Sequence, residues 1–260
     1  MGVRYNPRSI NDSVVCAIDF ANVKNYDSTN LTAKCAFTGI PFTTVNPSYV
    51  NVSNGFAQFT RAASAPTNAE KDLAGGTIKT SGLAASSYTS AKVANFFYNN
   101  HTWEVLFRID DIAPSNYDAN ETASTVVAFK GYNAGFTYSS PTLRYNIWNG
   151  TTNSVICASW TIASETPVGT WNHVGVTRSG DLFTKYTKGQ PISTLTQALT
   201  VNNGTTGTLG DIGIAATYGV GSNFINYGKV SVALFRMYSR ALTDAEMLQN
   251  FAATRGRFNL

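Results

Sequence analysis

Three carboxylic acids lie near one another in the sequence and raise the question of glycoside hydrolysis. Glu104, Asp110 and Asp111 belong to one stretch of alternating polar and apolar residues. Glycoside hydrolysis requires two carboxyl groups about 5 to 9.5 Å apart. In a strand, Glu104 and Asp110 would be roughly 20 Å apart, and the adjacent Asp110 and Asp111 would point to opposite faces. This spacing disfavours a glycoside hydrolase, which stays as a remote alternative.

Nucleophilic catalysis and nucleotide binding are disfavoured as well. Only two histidines, His101 and His173, are present to act as bases. We predict that His101 is a solvated turn residue and that His173, inside an alternating segment, is a buried structural residue. The sequence contains no G-x-S-x-G motif and no phosphate-binding loop, and the glycines at positions 207, 210 and 213 precede no predicted helix. We therefore predict that the protein is not an enzyme.

The residue types suit the binding of sugars better. Glycans are recognised by aromatic faces together with amide and hydroxyl groups, and binding residues concentrate in loops that a rigid scaffold positions. The segments 218–228 and 145–150 combine aromatic residues with asparagines. Aromatic residues also serve as core or subunit contacts, and this alternative stays open. The candidate glycan-binding residues are Tyr218, Asn223, Phe224, Tyr227, Tyr145 and Trp148.

The composition limits the class of partner. Of the 260 residues, 43% are hydrophobic, 12% are aromatic and only 13% are charged, with a formal net charge of +4. No basic run occurs, so we expect neither nucleic acid binding nor membrane insertion. The polar start of the chain predicts no secretion signal. Three widely spaced cysteines, Cys16, Cys35 and Cys157, predict buried thiols rather than disulfides or a zinc site.

Short alternating segments with regular turn signals indicate an all-β protein. The sequence predicts a two-sheet antiparallel jelly-roll sandwich with one short C-terminal helix. A capping box at residues 243–246 begins this helix, and Met247, Leu248 and Phe251 follow at helical spacing. We predict an extended arm at residues 1–13 and a single domain at 14–260, with long connections at 21–48 and 61–92. The predicted strands are residues 14–20, 103–109, 125–130, 142–148, 154–161, 171–178, 182–187 and 229–238, with a hairpin across 49–59.

The C-terminal part of the chain resembles a known family. Residues 232–246, VALFRMYSRALTDAE, resemble the final strand and helix of concanavalin A-like, laminin G-like jelly rolls. Residues 169–178 are similar to their central W-x-H-V-x-V-T strand. The turn at 186–189 occupies the place of their Y-x-N-G sequence, with Lys188 in place of the asparagine. The resemblance implies the concanavalin A-like fold for residues 14–260.

Both ends of the chain make the resemblance more specific. Residues 4–10 and 14–26 are similar to the opening of jelly-roll proteins of tailed bacteriophages, which often end in R-G-R-F, as residues 255–258 do. This resemblance implies a non-enzymatic structural protein displayed on the virion, as a capsid decoration or a tail fibre component. Assembly would take place in the bacterial host cytoplasm, which the unpaired cysteines fit.

The resemblance also implies partners. The polar arm at residues 1–13 would dock onto other virion proteins, and the weakly charged jelly roll would form a homo-oligomer, a trimer or higher. Host-surface polysaccharide is a further expected contact. The alternative function is a carbohydrate-binding adhesin or lectin of a tail fibre or spike.

Calcium is the one cofactor that the resemblance introduces. Many laminin G-like and lectin relatives hold Ca²⁺ with Asp and Asn side chains and carbonyl oxygens in loops. The segment after the Trp103 strand offers such residues, although none has the spacing of an EF-hand. We expect no obligatory cofactor, and solvated loop carboxylates are the alternative. The candidate metal ligands are Asp110, Asp111, Asp118 and Asn120.

Overall fold

Two antiparallel β-sheets pack face to face and enclose the hydrophobic core. This arrangement confirms the predicted jelly-roll sandwich. The computed structural model describes residues 9–22, 26–27, 32–34, 41–61, 75–80, 99–112, 124–129, 134–148, 154–199, 212–218, 224–225 and 227–260. Among these residues, no helix combines the length and the apolar composition needed to cross a membrane.

Sheet A has eight strands and carries the C-terminal helix on its outer face. Its strands are β1 (Val14–Asp19), β5 (Val50–Ser53), β6 (Phe56–Phe59), β8 (His101–Asp111), β13 (Trp171–Ser179), β14 (Leu182–Thr187), β15 (Gln190–Thr196) and β19 (Lys229–Tyr238). The spatial order is β15-β14-β13-β8-β19-β6-β5, and β1 also pairs with β19. The edge strands of this order are therefore β15 and β5.

Sheet B has nine strands. They are β2 (Tyr26–Asp27), β3 (Thr32–Lys34), β4 (Pro41–Val45), β7 (Thr77–Thr80), β9 (Ser124–Phe129), β10 (Ala134–Ser139), β11 (Thr142–Trp148), β12 (Ser154–Thr161) and β16 (Ile212–Ile214). The spatial order is β12-β11-β10-β9-β16-β7-β4-β3-β2. A separate two-stranded pair joins β17 (Thr217–Tyr218) to β18 (Phe224–Ile225).

Alternating residues of β8 form the centre of the core. One face of this strand is fully buried between the sheets, as the sequence pattern predicts: Trp103, Val105, Phe107 and Ile109. The Trp103 ring lies 5.3 Å from Phe235 of the neighbouring β19 and 5.6 Å from Tyr145 of sheet B, both in edge-to-face geometry. Each large apolar side chain buried in this way contributes about 1.5–3 kcal/mol.

Several strands lie where the sequence predicted connections. Strands β2, β3 and β4 fall within residues 21–48, and β7 falls within residues 61–92. These strands are short and rich in threonine, so they show little of the alternation from which strands are predicted. Ile78 of β7 is nevertheless fully buried. The connections predicted at 21–48 and 61–92 are therefore wrong at these positions.

Helix α1 (Asp244–Thr254) begins at the predicted capping box. Thr243 Oγ1 accepts a 3.3 Å hydrogen bond from the backbone N–H of Glu246, whose side chain accepts a 2.8 Å bond from the N–H of Thr243. Met247 and Phe251 are buried against sheet A. Met247 fits there because Gly175 of β13 has no side chain, and an added Cβ would collide with the Met247 methyl group. The predicted C-terminal helix is confirmed.

Residues 9–13 of the predicted arm pack onto the domain. The backbone N–H of Ile10 donates a 2.7 Å hydrogen bond to Asn250 Oδ1 of α1. The Tyr238 hydroxyl donates to the carbonyl of Ile10 at 3.2 Å, and Asp12 pairs with Arg240 at 3.2 Å. This part of the arm therefore contacts β19 and α1 of its own chain. Residues 1–8 lie outside the described residues.

Candidate functional site

An open groove lies on the outer face of sheet A, at the end where β13 begins. Its volume is about 630 Å³. We call it the Trp171 groove. Pockets of this size accommodate small ligands. It is lined by loop residues 164–167, the start of β13 at 170–172, Thr187 and Lys188 of the β14–β15 turn, Ile192 of β15, and the C-terminal residues 258–260.

Trp171 supplies the aromatic surface of the groove. Its half-buried indole packs against Phe258, with ring centroids 4.3 Å apart, and edge-to-face against Phe56 at 5.2 Å. The Arg108 guanidinium lies 5.5 Å from the centroid of the indole. These contacts fix the orientation of the ring, and Trp171 is one of the residues that line the groove.

The C-terminal residues are held in place by an ion pair. Arg257 donates two hydrogen bonds of 2.8 Å to the carboxylate of Asp19, at the end of β1. The following Phe258 donates its backbone N–H to the carbonyl of Arg255 at 3.2 Å, which closes a 3-10 turn. The R-G-R-F sequence at 255–258 therefore places Phe258 against Trp171.

Polar groups from β13 and from the loop before it form one rim of the groove. The Glu165 carboxylate pairs with Lys185 at 2.5 Å and accepts a 2.7 Å hydrogen bond from the backbone N–H of Thr161. The Asn172 side-chain amide donates to the carbonyl of Thr170 at 2.8 Å. The rim thus carries groups that are held by their own partners and belong to the hydrogen-bonding types that recognise hydroxyl-rich ligands.

Lys188 lies at the opposite rim, in the turn between β14 and β15. Its φ of 52° is left-handed, and Gly189 follows at 74°. A Cβ at Gly189 would lie 2.8 Å from the Leu248 Cα, so the turn requires glycine there. The backbone N–H of Lys188 donates to the carbonyl of His173 at 2.9 Å. Its ammonium has no ion pair with any described residue, so this rim carries positive charge.

A second polar cluster on the same face is sealed from solvent beneath α1. Glu104 is fully buried and pairs with Arg236 at 2.5 Å, and its other oxygen accepts a 3.1 Å hydrogen bond from Asn250. His173 Nε2 lies 3.7 Å from the carboxylate, beyond hydrogen-bonding distance. Burial raises the pKa of Glu104, but the Arg236 guanidinium lowers it to about 2. This cluster is ionised and has a structural role.

The candidate segment 145–150 does not form a binding loop in its described part. Tyr145 and Trp148 belong to β11, and the Tyr145 ring is fully buried in the core. Its hydroxyl lies 3.0 Å from His101 Nε2. The glycan-binding prediction for Tyr145 is corrected by this burial. His101 is likewise buried, not solvated as predicted, because it begins β8 and faces the core.

The candidate segment 218–228 is only partly described. Tyr218 and Phe224 pair in the β17–β18 hairpin, and Asn223 lies outside the described residues. Tyr227 is buried, and its ring occupies the space beside Gly75, where an added Cβ would lie 2.7 Å from the ring. Tyr227 is therefore a packing residue in this structure and does not face a ligand.

The candidate metal ligands already have partners. Asp110 pairs with Arg108 at 2.5 Å and accepts a hydrogen bond from Ser231, and Asp111 pairs with Lys229 at 3.0 Å. Both belong to β8 and not to a loop, while Asp118 and Asn120 lie outside the described residues. Within the described part of the chain, no three His, Cys, Asp or Glu residues are grouped closely enough to hold a metal ion.

The cysteines follow the prediction where they are described. Cys16 and Cys157 are both buried, and Cys157 is a free thiol. Burial raises the pKa of the Cys157 thiol to about 12, which keeps it protonated and unreactive. Cys35 lies outside the described residues.

Sequence reasoning missed the Trp171 groove. It identified Trp171 as the first residue of a strand and residues 255–258 as a terminal motif, but it did not bring them together. One signal was available in the sequence: Trp171 directly follows the turn at 167–170, and an aromatic residue at the end of a strand can remain partly exposed.

Comparison with known proteins identifies the fold. The sequence profile of a laminin G-type family, described as the concanavalin A-like lectin/glucanases superfamily, matches residues 82–247. No curated protein matches the chain in sequence.

Solved structures with the same fold include binding domains of toxins and a sialidase. The binding domain of botulinum neurotoxin DC, in complex with rat synaptotagmin II, matches with a TM-score of 0.63 and 15% identity over 94% of this chain and 52% of that chain. A structure of botulinum neurotoxin type C, a toxin whose cell entry is dependent upon interaction with two ganglioside molecules, matches with a TM-score of 0.62 and 15% identity over 93% of this chain and 51% of that chain. Trypanosoma rangeli sialidase with 2,3-difluorosialic acid gives 0.57 and 14% over 94% and 33%.

These similarities concern the fold alone because the identities are low. The chain spans about half the length of the neurotoxin structures and about a third of the sialidase.

Proposed function

Because the chain belongs to the concanavalin A-like lectin/glucanases superfamily, we propose that it is a non-catalytic carbohydrate-binding domain whose glycan lies in the Trp171 groove. The observation that carries this proposal is the half-buried indole of Trp171, which is held by Phe258 and lines a groove together with Glu165, Asn172 and Lys188. The apolar face of a sugar ring packs on an aromatic ring, and its hydroxyl groups bond to charged and amide groups around it.

A role without catalysis is supported by the described carboxyl groups. A glycoside hydrolase needs two carboxyl groups at the scissile bond, one of them with a raised pKa. Among the described residues that line the groove, Glu165 has the one acidic side chain, and Lys185 pairs with it. The pKa values of Glu104 and Glu246 are instead lowered to about 2, the first by Arg236 against the effect of burial and the second mainly by its hydrogen bonds with Arg240. A general acid requires a raised pKa, which is the opposite of these two shifts.

Binding to a printed array of bacterial surface polysaccharides and sialylated oligosaccharides tests this proposal. We expect the wild type to bind at least one of these glycans and Trp171→Ala to weaken that binding at least tenfold, because the stacking surface is lost. Ile156→Ala is the matched control, since Ile156 is exposed on β12 of the other sheet. Thermal melting verifies that both variants fold. Wild-type affinity in Trp171→Ala would overturn the groove assignment, and a loss confined to Ile156→Ala would place binding on sheet B.

A second proposal concerns where the domain acts. We propose that it is displayed on a bacteriophage particle, as a capsid decoration or tail fibre component, where a glycan site would contact host polysaccharide. The support is the sequence resemblance of residues 4–10, 14–26 and 255–258 to phage jelly-roll proteins. Since residues 9–13 contact their own domain, a docking arm would have to act through earlier residues.

Mass spectrometry of purified particles, with heads and tails separated, tests this location. We expect the protein in one of the two fractions. Its absence from particles that contain the other structural proteins would overturn the location and leave the glycan proposal untouched.

A further inference from the structure

Strand β15 is an exposed edge of sheet A. All seven residues of Gln190–Thr196 are exposed, and the strand ends the sheet beside β14. An edge strand presents unpaired backbone N–H and C=O groups that can pair with another strand. The opposite edge, β5, is shorter at four residues, and its Val50 is buried. The longer edge is therefore the more available one.

The residues of β15 do little to prevent pairing. Native proteins protect edge strands with charged side chains, prolines or bulges. β15 contains no charged residue, and its single proline, Pro191, lies next to the turn. The bulge in its pairing with β14 is also at this end, between Lys185 and Tyr186. The extra residue of this bulge is Ile192, since Lys185 pairs with Ser193 and Tyr186 pairs with Pro191, so only the segment from Ser193 to Thr196 has none of these protections.

Apolar side chains accompany this edge. Ile192 and Leu195 of β15 are 52% and 43% exposed. Leu182, also exposed, pairs with Thr196 in the neighbouring strand, and exposed Leu248 of α1 lies beside the β14–β15 turn. These are four of the seven large hydrophobic residues that are exposed in the described part of the chain. Leu195 pairs with the core residue Phe183, so it lies on the opposite face of the sheet from Leu182, and the apolar side chains flank the edge on both sides.

The occupant we infer is a second copy of this chain. We propose that β15 pairs antiparallel with β15 of another copy about a twofold axis, which joins the two eight-stranded sheets into one. Near such an axis each side chain lies beside the same side chain of the other copy, so a charged residue there would repel its counterpart. The central residues, Ser193 and Thr194, are uncharged.

Charges at the two ends of the β14–β15 hairpin are complementary in this arrangement. Lys188 lies in the turn at the start of β15, and Asp181 lies at the other end, where its carbonyl accepts a hydrogen bond from Gln197. The Asp181 side chain is 56% exposed and its Arg178 partner is 3.8 Å away. Antiparallel pairing brings the Lys188 end of one copy beside the Asp181 end of the other, twice per dimer. This supports an identical chain as the partner.

Sedimentation at increasing concentration tests the proposal on the full chain. We expect dimers of the wild type at about 100 μM and at least tenfold weaker association of Thr194→Lys, which places two ammonium groups near the axis. Asn51→Lys is the matched control because it adds the same charge to β5, the other edge. Asn51→Lys should dimerise like the wild type.

Three results would overturn the proposal. The first is a wild type that stays monomeric at this concentration, and the second is an oligomer of any size, including the expected trimer, that persists in Thr194→Lys. The third is an oligomer that dissociates in Asn51→Lys but not in Thr194→Lys. If the wild type stays monomeric and instead binds an extended peptide at β15, the proposal of a second copy as the partner is likewise overturned.

A charge exchange keeps the test independent of any damage to β15 itself. Lys188→Glu should weaken the dimer several-fold because Glu would then face Asp181 of the other copy. Combining it with Asp181→Lys should restore wild-type association. A double variant that associates no better than Lys188→Glu would contradict the antiparallel arrangement.

Discussion

The outer face of sheet A is divided into a sealed half and an open half, and one strand runs through both. His173 and Trp171 are two residues apart on β13 and face the same side. His173 is fully buried beneath α1 beside the Glu104–Arg236 pair, whereas Trp171 faces the groove with the partly exposed Glu165 at its rim. Similar chemical groups are therefore sealed from solvent where the helix covers them and remain accessible from the groove where it does not.

The largest expected difference between the halves is the effect of removing a carboxylate charge. Glu104→Gln leaves the Arg236 guanidinium buried without its counter-ion, which typically costs about 3–5 kcal/mol. Glu165→Gln, the matched change in the open half, should cost at most about 1 kcal/mol because this pair is partly solvated. Urea unfolding of both variants measures the two values. Equal losses would contradict the division of the face.

The sealed half should also make stability depend on pH. The pKa of Glu104 in the folded protein is lowered from 4.5 to about 2, so its contribution is present above pH 4.5 and is lost as the pH falls to about 2. The shift corresponds to roughly 3 kcal/mol. Unfolding at a series of pH values should show this loss in the wild type and a flatter curve in Glu104→Gln.

Glu246, with a pKa of about 2, titrates in the same range but is partly exposed, so Glu246→Gln should flatten the curve less. An unchanged curve in Glu104→Gln would exclude the buried pair as the source of acid sensitivity.

The smallest expected effect lies at the rim of the open half. Lys188→Asn should raise the free energy of unfolding by a few tenths of a kcal/mol, since Asn adopts the left-handed φ of 52° more readily than Lys. The same change removes the positive charge from the groove and should weaken glycan binding. Thermal melting and array binding on the same sample measure the two effects. A less stable variant would show that Lys188 makes a stabilising contact at the rim.

Local patterns in the sequence predicted the elements but not the site. The capping box of Thr243 and Glu246 involves residues three apart, and it specified the start of α1 correctly. The pairs that define the two halves of the face are non-local: Glu104 meets Arg236 across 132 positions of sequence, and Trp171 of β13 meets Phe258, which lies beyond the end of α1. The periodicity of a single segment does not indicate which distant residues it will contact.

The errors have physical reasons that can be traced to particular strands. Tyr145 shares the inward face of β11 with Leu143 and Ile147, so the alternation of the strand, applied strictly, would have placed its ring in the core. Strand β15 was missed because every one of its residues is exposed, so the strand has no alternation between buried and exposed positions. Alternation in a sequence indicates which residues are buried. It was overlooked in β11, and β15 does not have it.

The most direct test of glycan binding in the Trp171 groove is a titration followed through the indole N–H resonances of the four tryptophans. A glycan selected from the array is added to 15N-labelled protein. We predict that the Trp171 resonance shifts most and that the resonance of Trp103, which is buried in the core, stays unchanged. A glycan that binds while Trp171 stays unchanged, or that shifts Trp148 in its place, would contradict the assignment of the site to this groove.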